Sequence, residues 1–198
     1  MGRLVIRAHG LIPPGLLGYE VPRRSPPPEP GEQARLRDLP IQAVLHPAFV
    51  NQYARFWESL NAAFRKLGVN VVTRHATRAE FLEILRERSV DLAALRRIAL
   101  YPDVSGLVGS LLHSEEGLLA GLCSSPEIDC LLEQGRREID PALRHPIYRQ
   151  IEETIARESL LIPLFHEQTY RFAQPTVKGL RISVSVPEVR YEELYTSD

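Results

Sequence analysis

The densest run of side chains able to do chemistry lies at residues 96–106, Arg-Arg-Ile-Ala-Leu-Tyr-Pro-Asp-Val-Ser-Gly. An arginine here could grip a carboxylate through a forked pair of hydrogen bonds. Arg96 and Arg97 would alternate sides at a strand end, so only one of them could face a cleft, and the plain reading of either is a surface ion pair. Tyr101 could stack on a solute or hydrogen-bond to it; its plain role is packing against Pro102. Asp103 could meet a cationic group or, as aspartate often does, cap the helix that follows. Leu100, at the centre, offers only apolar contact. These five residues, Arg96, Arg97, Leu100, Tyr101 and Asp103, are the candidate ligand contacts.

Other reactive types are scattered. The histidines at 9, 46, 75, 113, 145 and 166 show no His-x-x-x-His spacing, and Cys123 and Cys130 no Cys-x-x-Cys, so no metal site is expected. His46 and His75 close neighbouring strands and form the least improbable metal or proton-switch pair. The two cysteines read as small buried hydrophobes, with a disulfide open only to an exported protein. Cys123 with His113 lacks a third orienting group for nucleophilic chemistry, and no carboxylate pair stands out as acid and base. The expectation is a non-enzymatic protein with no cofactor and no catalytic residue.

Bulk composition narrows the class. The 198 residues suffice for one domain with a real core, and 44% apolar with 25% charged residues is the balance of a globular protein. A net charge of −1 with interspersed signs gives no footprint for nucleic acid or an anionic membrane. No apolar run approaches the length of a membrane helix, and the N-terminal stretch, broken by Arg7 and His9, does not read as a signal peptide.

The elements that must position the loop follow from periodicity. A short strand is expected at Leu4–Ala8, then a turn at Pro13-Pro14-Gly15. Residues 20–38 read as a proline-rich linker. Strands are expected at 39–47, 69–75 and 90–98. Between the first two, Phe49, Tyr53, Phe56, Leu60, Phe64 and Leu67 recur at helical spacing, which predicts one helix over Ala48–Leu67. Thr77 with Glu80 predicts a capping box and a second helix carrying Phe81, Leu82 and Leu85. The result is β-α-β-α-β, a small parallel sheet flanked by helices. The loop at 96–106 then leaves the carboxyl end of the third strand, where α/β proteins place ligands. Helices are predicted at Gly106–Leu112, Pro126–Glu138 and Pro141–Glu158, the last with Ile147, Ile151 and Ile155 on one face. Leu160–Phe165 reads as a strand held to an edge by Pro163, with further strand candidates at Tyr170–Ala173 and Leu180–Val186.

Taken in order, these segments resemble the C-terminal portion of the family 5 extracellular solute-binding proteins, the oligopeptide-, dipeptide- and nickel-binding receptors of ABC importers. The stretch GLIPPGLLGY (10–19) is similar to the family's crossing strand and turn. FRKLGVNVV (64–72) and AEFLEILRERSVDLAAL (79–95) are similar to its helix–strand steps. YPD (101–103) is similar to its "DYPDP" loop, residues 124–166 to its "R-x-x-l-Y-x-x-x-E" helical pair ending in "P-L", and VKGL (177–180) to its return strand.

The resemblance implies a periplasmic-binding-protein-like second lobe of type II. It implies three segments: a crossing strand and linker (1–38), an α/β ligand-binding lobe (39–166), and return strands with a C-terminal extension (167–198). The implied function is a solute-binding lobe for peptides or similar small polar solutes, closing by hinge motion along 8–20 and 166–180 against a missing N-terminal lobe, in a periplasmic or extracellular setting. ABC permease subunits would be its partners, and a homodimer of the isolated lobe is open. A sensing or interaction module of a larger regulatory protein is the alternative. One departure stands out: where peptide-binding members resemble one another in an aspartate that pairs with the ligand's ammonium, this chain has Leu100.

Overall fold

The computed structural model describes residues 5–21, 40–99, 101–123, 125–168, 170–183 and 188–197. In chain order its elements are β1 (Val5–Arg7), β2 (Pro40–Leu45), α1 (Pro47–Asn51), α2 (Ala54–Lys66), β3 (Asn70–His75), α3 (Arg78–Glu87), β4 (Leu92–Ala94), α4 (Val104–Leu112), α5 (Pro126–Arg137), α6 (Pro141–Arg157), β5 (Phe165–Glu167), β6 (Val177–Lys178) and β7 (Tyr195–Thr196). They form two compact units that interleave along the chain. The first holds the described residues of Met1–Arg23, Ile98–Ser110 and Pro126–Asp198; the second, those of Arg24–Arg97 and Leu111–Ser125.

The second unit carries the expected parallel sheet, in the order β3-β2-β4. Ala43, Val44 and Leu45 of the central strand are all buried, as befits a parallel strand covered on both faces. Thr77 and Glu80 form the expected capping box, with the threonine backbone N–H donating to the glutamate at 2.8 Å. Phe81, Ile84 and Leu85 turn α3 inward.

Two readings of this unit are corrected. The single helix over Ala48–Leu67 is two helices, α1 and α2. Tyr53 leaves helical geometry (φ −115°, ψ 22°), and its ring packs on Phe49 at 5.7 Å. That break brings Trp57 into the buried set beside Phe49, while Leu67 stays 64% exposed. The third strand is shorter than 90–98. β4 pairs only with β2 (Ala43 opposite Leu92 through Leu45 opposite Ala94), and β2 ends where Pro47 opens α1, so pairing stops. His46 and His75 do close neighbouring parallel strands, with Leu45 opposite His75. His46 itself caps α1 by accepting from Ala48 N–H at 3.2 Å.

The first unit is built on α5 and α6, which pack together. Asp140 caps α6 by accepting from Ala142 N–H at 2.9 Å. Tyr148, Ile151 and Ile155 are buried on α6, Tyr148 taking the place expected for Ile147. The expected strand at Leu160–Phe165 begins only at its end: β5 covers Phe165–Glu167 and pairs antiparallel with β1, because Pro163 has no N–H to give a ladder. Tyr170–Ala173 is not a strand. Of 180–186, Ile182 makes one bridge, to Val189, and 184–187 lie outside the described residues. The proline-rich linker falls almost wholly outside them too. Among the described residues no helix is long and apolar enough to cross a membrane.

Candidate functional site

The side chains that organise the first unit lie on one face of α6. Arg144, Tyr148 and Glu152 follow at intervals of four, so they stack along the helix. Arg144 donates through Nη1 to Asp103 Oδ2 at 3.0 Å, through Nη2 to Asp103 Oδ1 at 3.2 Å, and through Nε to the Gly135 carbonyl at 2.9 Å. Its Nη2 also reaches the Tyr148 hydroxyl at 3.2 Å.

Tyr148 is fully buried. Gly18 lies over it with φ +83°, and a Cβ there would fall 2.5 Å from Tyr148 Cβ. Both the backbone conformation and the space therefore demand glycine. One turn on, the Glu152 carboxylate accepts from the backbone N–H groups of Leu11, at 3.0 Å, and Ile12. Gly10 packs against that carboxylate so closely that a Cβ there would displace it. Burial pushes the Glu152 carboxyl up; the two N–H donors pull it back only in part.

His166 of β5 completes the set. Its ring hydrogen-bonds the Gly10 backbone, while Nε2 is buried with no partner among the described residues. Burial holds this imidazole below its ordinary pKa, the Gly10 hydrogen bond opposing that shift only in part. Helix α6 thus holds the crossing segment 10–18 at one end of its polar face and the loop at Asp103 at the other.

Within that loop, Asp103 precedes α4 and accepts from both the N–H and the hydroxyl of Ser105. Burial alone would raise its pKa, but the Ser105 and Arg144 bonds overbalance it and hold the carboxyl below the usual range. Tyr101 is 55% exposed, and its ring lies over Gly106, where a Cβ would meet the hydroxyl at 2.6 Å. Leu100 lies outside the described residues. Arg96 and Arg97 follow β4 in the second unit; Arg96 is half-buried and Arg97 exposed. Arg96, after burial and Arg78, helps depress the pKa of His46.

The sequence carried Arg144, Tyr148, Glu152, Gly10 and Gly18 only as letters of the family-like stretches, with no role assigned to them. The signal was present as three polar or amphipathic residues at i, i+4, i+8 on a helix otherwise scored for isoleucines. Among the described residues no cluster of three or more His, Cys, Asp or Glu could hold a metal.

No protein-family model matches this chain. The periplasmic oligopeptide-binding protein OppA of Salmonella typhimurium aligns at 22% identity over 151 residues, 76% of this chain and 26% of that protein. Among solved structures, HbpA2 from Haemophilus parasuis superposes with TM-score 0.79 at 18% identity, covering 99% of this chain and 41% of that one. A dipeptide-binding protein from a Pseudoalteromonas species, in complex with Met-Leu, gives 0.72 at 18%, covering 98% and 41%.

The chain therefore has a mixed α/β, periplasmic-binding-protein-like fold. The resemblance to the family 5 solute-binding proteins holds in sequence and in fold. The chain spans about a quarter of the length of the curated relative and about two-fifths of the solved neighbours.

Proposed function

We propose that this chain is a solute-binding lobe of an ABC-transporter substrate-binding protein, taking peptides or similar small polar solutes without catalysing their reaction. The observation that carries the reading is the fold match across 97–98% of the chain to proteins named as binding proteins, one of them named for dipeptides and solved with Met-Leu. The alignment to an oligopeptide-binding protein supports it independently. In this reading the residues at 96, 97, 100, 101 and 103 contribute ligand contacts, and the opposing wall comes from a further body of protein, in the same polypeptide or another. The relatives' periplasmic setting is the proposed setting of this chain as well, with permease subunits as its transport partners.

A thermal-shift titration of the full chain with di- to pentapeptides tests this. A ligand that binds the folded state raises the melting temperature with concentration by mass action. A concentration-dependent rise with at least one peptide class is expected. Absence of any shift at millimolar peptide, or hydrolysis of the peptides by the chain, contradicts the reading.

A further inference from the structure

Asp103 is the sole carboxylate between Asp91 and Glu115, so any negative charge the loop offers a solute must come from it. An ionised carboxylate has about four acceptor sites. Here four donors meet it, three at Oδ1 (the Ser105 N–H at 2.8 Å, the Ser105 hydroxyl and Arg144 Nη2 at 3.2 Å) and one at Oδ2 (Arg144 Nη1 at 3.0 Å). The arginine is held in turn: its Nε is fixed to the Gly135 carbonyl of α5, and its guanidinium carbon lies 5.2 Å from the Tyr148 ring centre. Neither partner is free to turn toward a third charge without breaking several bonds.

We propose that Arg144 is the positioning residue of the loop at 101–105, and that by claiming Asp103 it makes this loop receive an uncharged or anionic part of the solute rather than a free ammonium group. The proposal rests on the solute-binding reading above. A cation arriving at Asp103 would meet a neutralised pair and the guanidinium's own positive charge. Tyr101, more than half exposed, lies on the same loop.

Two measurements on the full chain test it. In the first, carboxyl-carbon NMR follows the titration of Asp103. Its midpoint is expected below that of a free aspartate, and it should rise in Arg144→Gln. An unshifted midpoint, or one indifferent to Arg144→Gln, overturns the positioning role without reference to any ligand. In the second, calorimetry compares a tripeptide with its N-acetylated form. Affinities within about threefold are expected, since no charged bond to the amine is lost. A preference of tenfold or more for the free amine, abolished by Asp103→Asn, overturns the proposal. If the NMR result holds but neither peptide gives heat, the solute-binding reading fails, and the loop's role in recognition falls with it.

Discussion

Glu152 accepts a 3.0 Å hydrogen bond from the backbone N–H of Leu11, a residue 141 positions earlier in the chain. With the second bond from Ile12 it satisfies two backbone donors that a bend at Gly10 would otherwise bury unpaired. A buried carboxylate is costly unless it is hydrogen-bonded, so the arrangement works as a latch between α6 and the crossing segment.

Replacing that latch should be expensive. Glu152→Ala leaves the buried Ile12 N–H and the part-buried Leu11 N–H without acceptors, at about 1–3 kcal/mol for the buried one and less for the other. Urea unfolding should show a loss of about 2–4 kcal/mol; a loss under about 0.5 kcal/mol would mean that the crossing segment is held by other contacts.

The same group predicts a pH dependence. Because burial raises its folded pKa above the unfolded value, the folded state binds more protons between the two. Its contribution to stability is therefore full at low pH and declines as pH rises from the ordinary carboxylate range through the raised folded value. Glu152→Gln removes the titrating group. The stability difference between wild type and this variant should therefore change with pH across that window and be flat elsewhere. A difference independent of pH would contradict a raised folded pKa.

Gly18→Ala combines a positive φ with a collision on Tyr148 Cβ. The left-handed conformation alone costs a non-glycine residue roughly 1–2 kcal/mol, and the contact adds to it. The melting temperature should drop by more than about 5 °C, taking roughly 2–4 °C per kcal/mol for a chain of this size. An unchanged melting temperature would show that the turn at 13–18 can shift away from α6.

Asp103 titrates the opposite way. Its folded pKa lies below the unfolded one, so its stabilising contribution is present above the ordinary carboxylate range and is lost as pH falls through the folded value. The pair with Arg144 is about one-fifth to one-third exposed, and solvent screening keeps the effect small. Acid unfolding of Asp103→Asn should begin at no lower pH than that of wild type. Its stability deficit should be present at neutral pH and vanish in acid. A deficit that persists unchanged in acid would assign the loss to packing rather than to charge.

These predictions rest mostly on pairings that the sequence did not reveal, and the reason is physical. The parallel sheet, the Thr77–Glu80 box and the Asp140 cap were legible because their signals are local: alternation, β-branched runs, and a side chain bonding a backbone group two or three residues away. Asp103's cap on α4 was legible for the same reason. Glu152, Arg144 and Tyr148 were not, since their partners lie at Leu11, Asp103 and Gly18, far away in the chain. Strand ends misled for a related reason. Residues 95–98, Leu-Arg-Arg-Ile, follow the apolar run of β4 directly, but their neighbour β2 stops at Leu45, and a strand is no longer than its partner allows. Tyr53 broke a helix that periodicity made continuous, because packing on Phe49 outweighed helical propensity there.

The central claim, that the chain binds small polar solutes through the loop after β4, is tested most directly by backbone amide NMR of the full chain titrated with a short peptide. The account predicts saturable shifts at Arg96, Arg97, Tyr101 and Asp103. Shifts confined instead to the shallow depression lined by Gly179, Leu180, Arg181, Glu193 and Tyr195, or no saturable shift with any peptide, would contradict it.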